Sequence, residues 1–322
     1  RLFSKHKEMK TPVLLMVFIK PETTIKIINK LAEIKPEKLY ISINIPQKNN
    51  KSEIGKNKKV LDVLKLIKWK CKIKYKKRRK YVDAYTSYRD AIKWFFKNEK
   101  EGIVLEDDTL PNKSFFKFCS NMLKKYRNDK NISQICGSSF KNYNKYNVNY
   151  FFSNYNLCWG YATWRRSISD YDENMKKWKM LSKKNHLYKI LNNKKFVSYW
   201  TDIFDIQYKK KFRAWDYIWL YSNWAKNKIS IIPKKHLVKN IGFVKDATHT
   251  KVKYKDWFND LETQELKIKN SNPTNLKPDL KYDLWISNAI FKINGVFFKK
   301  KIRKNKIYKK LKHIKKYIKR IL

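Results

Sequence analysis

Eight consecutive residues, Pro12-Val13-Leu14-Leu15-Met16-Val17-Phe18-Ile19, carry no charge. So short and apolar a run reads as a strand buried on both faces. The period then changes. Pro21-Glu22-Thr23-Thr24 is a helix start, and Ile25, Ile27, Ile28, Leu31 and Ile34 recur at helical spacing up to Lys35. The alternation continues with a strand over Lys38 to Asn44, an amphipathic helix over Val60 to Trp69 and a strand over Cys71 to Tyr75. A helix over Tyr85 to Asn98 and a strand over Gly102 to Leu105 follow. Strand and helix taking turns in this way predict an α/β sheet with mostly parallel strands.

From Pro111 a further helix turns Phe115, Phe116, Phe118, Cys119 and Leu123 inward, and Ile132 to Cys136 is another strand. Residues 141–150 are rich in Asn, Tyr and Lys and read as a loop. Aromatics then dominate, with Trp159, Tyr161, Trp164, Trp178, Trp200, Trp215, Trp219 and Trp224. No internal repeat is visible. Near Lys253 the chain turns polar and the alternation stops, so two parts are expected: an α/β domain over 11–255 and an extension over 256–322.

Composition changes this picture only at one point. The 322 residues carry 77 Lys and Arg against 27 Asp and Glu, a net charge of +50. Lys far exceeds Arg, and Asn and Ile are abundant, so part of that charge follows an AT-rich composition. It still draws in polyanions. The 42% hydrophobic fraction opposes disorder, and the 6 Gly and 8 Pro exclude collagen-like and linker compositions. Cys71, Cys119, Cys136 and Cys158 form no CxxC pair; Cys119 and Cys136 read as buried thiols in a reducing compartment. The run Val13 to Ile19 is too short to span a bilayer, and no secretory leader is visible.

In so basic a chain, the adjacent acids Glu106-Asp107-Asp108 directly after the strand Gly102 to Leu105 stand out. They admit two readings. Asp108 or Thr109 caps the helix that begins near Pro111. Alternatively, the acids supply hard oxygen ligands to Mn²⁺ or Mg²⁺ shared with substrate phosphates. In parallel sheets ligands bind beyond the carboxyl ends of the strands. Phe18-Ile19-Lys20 and Asn44-Ile45-Pro46 end their strands too, so three segments could face one cleft, which favours the metal reading.

The ordered motifs resemble a bacterial family of GT-A-fold nucleotide-diphospho-sugar glycosyltransferases, distantly similar to N-acetylglucosaminyltransferase I. The resemblance covers roughly residues 11–255 and rests on Lys20-Pro21 with Thr24, Leu39-Tyr40-Ile41-Ser42, Trp94-Phe95-Phe96 and Ile103 to Asp108 with Pro111, Phe115 and Phe116. It continues through Trp159 to Arg166, Trp215-Asp216-Tyr217, Leu237 to Phe243 and Asp246-Ala247-Thr248-His249-Thr250. It implies a Rossmann-like, mostly parallel central sheet flanked by helices, with the C-terminal part as a basic helical appendage. It also implies transfer of a sugar from a nucleotide-diphospho-sugar donor to a glycan or lipid-linked hydroxyl, with inversion.

Residue by residue, the resemblance implies that Asp108 ligates Mn²⁺ or Mg²⁺ on the donor diphosphate, with Glu106 and Asp107 touching sugar and ribose. Asp216, set among aromatics, is the expected base, and desolvation would raise its basicity; Asp202 and Asp205 are weaker candidates. His249 is either a metal ligand or a surface residue. Trp159 and Gly160 are expected to line the donor-sugar and acceptor pocket, and Phe18, Lys20 and Asn44 its nucleotide side. Trp164 reads as core, and Arg165 and Arg166 as phosphate contacts or, the favoured reading, solvated helix charges. Three departures fall on the nucleotide side. Asn44-Ile45-Pro46 stands where the family usually has Asp-Gly-Pro, Lys20 where it has Arg, and Tyr81-Val82-Asp83 where it has Asn-x-Gly.

Residues 303–322 place Ile307, Leu311, Ile314, Ile318 and Ile321 on one face of a basic helix. Such a helix suits an anionic membrane surface or docks on the catalytic domain. The expected location is cytoplasmic, peripheral on the inner face of the membrane. No specific nucleic-acid partner is expected; a basic nucleic-acid-binding protein or metal-dependent nuclease is the competing class, and a catalytically degraded homologue the third.

Overall fold

The computed structural model describes residues 9–141, 148–242, 261–267, 273 and 275–294. The chain divides into two compact units, Arg1–Met175 with Arg213–Pro278, and Lys176–Phe212 with Asp279–Leu322. The expected boundary at 255/256, His249 and the basic helix over 303–322 lie outside the described residues.

The first unit opens with strand β1 (Val13–Val17), helix α1 (Pro21–Ile34) and strand β2 (Lys38–Ile43). Pro21 takes the first helical turn, where its missing N–H costs nothing. Lys35 ends α1 in the left-handed conformation, its N–H returning to the Leu31 carbonyl. Helix α2 (Lys51–Leu64) precedes strand β3 (Lys72–Lys77), helix α3 (Ala84–Asn98) and strand β4 (Glu101–Glu106). The helix expected over Val60 to Trp69 therefore begins nine residues earlier and ends at Leu64. Its start is set by Asn50, whose side chain accepts from the Glu53 amide, a cap hidden in a lysine-rich, weakly periodic stretch.

Strand β5 (Thr109–Pro111), helix α4 (Lys113–Lys125) and strands β6 (Ile132–Cys136), β7 (Tyr150–Ser153) and β8 (Tyr161–Trp164) follow. After the short helix α5 (Arg165–Ile168) the chain enters the second unit with helices α6 (Trp178–Lys183), α7 (His186–Leu191) and α8 (Lys194–Tyr208). It re-enters the first unit with helix α9 (Trp215–Trp224) and strands β9 (Ile229–Pro233) and β10 (Val238–Asn240). Helix α10 (Leu280–Ala289) belongs to the second unit.

Among the described residues, eight strands form one sheet in the order β3-β2-β1-β4-β8-β6-β9-β7. The first four are mutually parallel, with Leu14 opposite Tyr40 on one side and Val104 on the other. The α/β expectation therefore holds. Beyond β4 the sheet is mixed: β8 is antiparallel to both neighbours, β6 and β9 are parallel, and β7 is antiparallel to β9. Val13, Leu14, Leu15, Leu39, Ile41, Ile103 and Leu105 are wholly buried, each aliphatic side chain contributing roughly 1.5–3 kcal/mol. Cys119 and Cys136 are buried free thiols.

Candidate active site

Glu106 ends β4 and Thr109 begins β5, so the acidic triplet occupies a tight strand-to-strand turn. The Thr109 hydroxyl accepts from the Glu106 amide at 2.9 Å and donates to the Glu106 carbonyl at 3.2 Å, which closes the turn. Helix α4 is capped by Asn112, whose Oδ1 accepts from the Phe115 amide at 3.1 Å. The capping reading of Asp108 and Thr109 is therefore wrong, because the helix starts later and carries its own cap.

Each acid has a distinct setting. Asp107 is buried and accepts from the Phe18 amide at 2.9 Å, tying the turn to the end of β1. Asp108 pairs with Lys20 Nζ at 2.5 Å, and the same ammonium lies 3.9 Å from Asp107. Strand β10 pairs with β5, and the Ile241 amide donates to the Asp108 carbonyl at 2.8 Å. This lays Gly242 so closely on Asp108 that an added Cβ would overlap its carboxylate.

Burial and then the neighbouring acids push Glu106 well above the usual carboxylate range, and Asp107 likewise. Burial opposes the charge on Lys20, yet Asp108 and Asp107 outweigh it and hold that ammonium above its ordinary pKa. Among the described residues one cation, Lys20, faces the three carboxylates. Their donors are hard oxygens of the kind Mg²⁺ and Mn²⁺ prefer. Among the described residues no three His, Cys, Asp or Glu side chains, the acidic triplet included, are placed to hold a metal ion together.

The turn opens on a cleft of about 270 Å³ at the carboxyl ends of β1, β2 and β4. Phe18, Lys20, Asn44, Glu106 and Asp107 line it, together with Tyr81, Val82, Asp83, Ser87 and Tyr88 among others. Asn44 donates from Nδ2 to the Val82 carbonyl at 3.0 Å, while its buried Oδ1 has no partner among the described residues. Asn57 of α2 draws the ends of β1 and β2 together by donating to the Phe18 and Asn44 carbonyls at 2.6 and 3.1 Å. Its sequence signal is faint: a polar residue in register with Val60 and Leu64. Tyr88 gave no signal beyond an aromatic on the α3 stripe.

Asp216 lies in the first turn of α9, within electrostatic reach of Glu106. Solvent reaches the residue, yet the protein packed around its carboxylate raises its pKa, with the Tyr217 amide pulling the other way. The start of α9 is fixed by Trp215, which stacks on Tyr171 at 5.6 Å and on Trp219 at 5.6 Å and meets Tyr88 at 4.8 Å. Tyr88 therefore touches both the cleft and the aromatic stack beneath Asp216. Cys158 shares this environment; burial, then Asp216, Cys136 and Glu106, keep its thiol protonated.

Trp159 and Gly160 are not among the residues lining the cleft. The Trp159 ring packs on Phe140, and Gly160, at φ +58°, lies against Val238 and Leu105. Trp164 is core, its indole donating to the Leu123 carbonyl. Arg166 is not a solvated charge: it lies 4.2 Å over the Trp164 ring and donates to the Tyr126, Arg127 and Ile132 carbonyls. Arg165 similarly reaches the Glu99 and Lys97 carbonyls. Asp202 and Asp205 belong to α8 of the second unit, where Asp205 accepts from the Trp178 indole.

No protein-family profile matches this chain, and no curated protein does. Several solved structures resemble it in part, two of them as follows. The mannosyltransferase PcManGT from Pyrobaculum calidifontis, in complex with GDP-Man and Mn²⁺, aligns at a TM-score of 0.33 and 10% identity. That alignment covers 48% of this chain and 44% of the enzyme, less than half its length. A 4-diphosphocytidyl-2C-methyl-D-erythritolsynthase from Anaerococcus prevotii aligns at a TM-score of 0.37 and 8% identity, over 69% of this chain and 86% of the other. Likenesses this slight carry no weight for the chemistry.

Proposed function

We propose that this chain is a metal-dependent glycosyltransferase that moves a sugar from a nucleotide-diphospho-sugar to a glycan or lipid-linked hydroxyl, with inversion. One observation carries the reading: three carboxylates share a turn at the carboxyl end of parallel strands, two of them, Glu106 and Asp107, line a cleft, and Asp216 lies in electrostatic reach of Glu106. The ordered motifs that resemble the GT-A family support it.

In this reading Asp108 would hold Mn²⁺ or Mg²⁺ jointly with the donor diphosphate. When bound, the cation neutralises charge developing on the departing nucleoside diphosphate. The protein's own residues do the rest. Asp107 keeps the Phe18 backbone in the wall of the cleft. Glu106 faces the donor sugar, and Asn44 Oδ1 offers an unused acceptor to the nucleoside. Asp216, with its raised pKa, takes the proton from the acceptor hydroxyl. Lys20 pairs with Asp108, and its ammonium would suit diphosphate oxygens if that carboxylate were engaged by a cation. Domain limits of 11–255 and 256–322, a metal role for His249 and a peripheral membrane location belong to the same proposal. No helix among the described residues is long and apolar enough to cross a membrane.

Isothermal titration with a panel of nucleoside diphosphates, with and without Mn²⁺, tests the reading. Metal-dependent binding of one nucleotide is expected. Salt-sensitive binding of oligonucleotides alone would refute it, and metal-dependent nucleotide binding without turnover on any acceptor would mark a degraded homologue.

A further inference from the structure

The parallel half of the sheet ends in β3, and there the surface changes character. Between Asp62 and Asp83 the chain carries ten Lys and Arg and no acid. Some of these cations serve the fold. Arg78 pairs with Asp90 at 2.9 Å, Lys65 with Asp62 at 2.7 Å, and Lys74 and Lys76 lie over the Tyr40 and Trp94 rings. Six others, Lys68, Lys70, Lys72, Lys77, Arg79 and Lys80, are exposed. Among the described residues none of the six has an ion-pair partner. Three large apolar side chains stand exposed among them: Leu66 at 49%, Tyr75 at 53% and Tyr81 at 42%.

We propose that this sheet edge, from Leu66 to Tyr81, is a docking surface for an anionic lipid bilayer. The argument is charge complementarity joined to amphipathic anchors. Unpaired lysines beside an anionic leaflet are each attracted to it, and the attraction falls off within a Debye length. Tyrosine rings and lysine stems settle at headgroup depth, with the apolar body inward and the polar tip in water. The edge of β3 is a line roughly 20 Å long at about 3.3 Å per residue, with Tyr75 and Lys77 on one face of the pleat and Lys72 on the other, and long lysine stems can reach a bilayer laid along that edge from either face. Lysines on an edge strand also deter pairing with a foreign sheet. That accounts for charges on β3 itself, but not for Lys68, Lys70, Arg79 and Lys80 on either side of it, nor for the exposed rings.

A nucleic acid is the lesser fit. Phosphate-backbone recognition favours the bidentate fork of arginine, whereas five of the six free cations are lysines, and Leu66 offers no face on which a base can stack. The carboxyl end of β3 continues through Arg79-Lys80 into Tyr81 and Val82 of the cleft wall, so a bilayer on this edge would lie beside the mouth of the cleft. The inference stands on the surface alone and does not depend on the transferase reading.

Sedimentation of the full chain with phosphatidylglycerol–phosphatidylcholine vesicles tests it, with pure phosphatidylcholine as the neutral reference. The quadruple variant Lys72→Glu, Lys77→Glu, Arg79→Glu and Lys80→Glu is expected to lose about 100-fold in partitioning. A matched variant, Lys179→Glu, Lys183→Glu, Lys184→Glu and Lys189→Glu, changes net charge equally and is expected to lose only about threefold. Circular dichroism checks that both fold. Tyr75→Ser with Tyr81→Ser is expected to remove the part of the binding that persists at high salt. Equal losses in the two quadruple variants would mean that net charge alone acts, and they overturn the proposal. Tighter binding of a single-stranded oligonucleotide than of the vesicles, lost in the same β3 variant, overturns it as well.

Discussion

The two halves of the large sheet treat polar groups in opposite ways. In the parallel half, inside its charged edge strand β3, the interiors of β2, β1 and β4 are mostly apolar and polar residues gather at the carboxyl ends, where Asn44, Glu106 and Asp107 meet around a cleft. In the mixed half, polar side chains are buried inside the sheet and bonded to one another. Gln134 donates to the Leu157 carbonyl at 2.9 Å and accepts from the Trp219 indole at 2.8 Å. Thr163 donates to the Ser133 carbonyl at 2.6 Å, and Ser133 to the Ile229 carbonyl at 3.2 Å.

The difference follows from strand direction. Parallel strands bring all their carboxyl ends to one edge, so polar termini accumulate there. Antiparallel neighbours send theirs to both edges, and polar residues between them are kept only when partnered. One half concentrates under-satisfied charge that costs stability; the other spends its polar groups on holding the sheet together. The sign for the acids is clear. Glu106 and Asp107 have raised folded-state pKa values, so the folded chain binds more protons than the unfolded one above the ordinary carboxylate range. Their contribution to stability therefore falls as pH rises through that interval.

The contrast can be broken by finding cleft residues that matter mainly for folding, or sheet residues that matter mainly for turnover. The largest effect is expected at Asp216→Asn, which should lower turnover roughly 100- to 10,000-fold while leaving the thermal midpoint near its original value. A large drop in midpoint with little change in turnover would move Asp216 to the structural side.

On the other side stands His236, buried between β9 and β10. Its Nδ1 faces the Ser139 and Phe140 amides at 3.4 and 3.5 Å, and burial lowers its pKa to about 4. A proton on Nδ1 would point at two N–H groups, so the folded state keeps the ring neutral. The folded chain then binds fewer protons than the unfolded one between about 4 and 6.5, and stability falls as pH drops through that window. The loss should approach about 3 kcal/mol. Urea titrations at several pH values should show it, and His236→Gln should flatten the difference.

Gln134→Leu should cost about 2–3 kcal/mol by leaving the Trp219 indole N–H and the Leu157 carbonyl unpaired in the core. Nucleoside diphosphate affinity should not change; a parallel loss of affinity would dissolve the distinction between the halves. The smallest effect is expected at Lys20→Met. Removing the ammonium from Asp108 should tighten Mn²⁺ binding about tenfold, the worth of one charge-assisted hydrogen bond, as read by electron paramagnetic resonance. Weaker Mn²⁺ binding would mean that Lys20 supports the cation rather than competing with it.

The legibility of the sequence divided along the same line. Within β1, β2, β4 and α3 each residue's environment follows from its immediate neighbours: a fully apolar run has to be a strand buried on both faces, and its end has to carry the turn. The acidic triplet and its company at Phe18, Lys20 and Asn44 were visible for that reason. Helix α2 was misplaced because its cap, Asn50, lies among lysines that mask the apolar stripe. Strand β8 was met as part of a Trp-rich motif and not as a strand, since its pairing with β4 and β6 is set by residues far away in the chain.

The sequence by itself determined the α/β alternation, the charge imbalance and the position of the acids at a strand end, because these depend on local period and composition. Only the tertiary structure decided that the acids form a strand-to-strand turn under Gly242, that Lys20 holds Asp108, and that Asp216 comes within electrostatic reach of Glu106 from more than a hundred residues away. Those contacts depend on which strands neighbour one another, and strand order is fixed by burial of the sheet as a whole, not by any segment read alone.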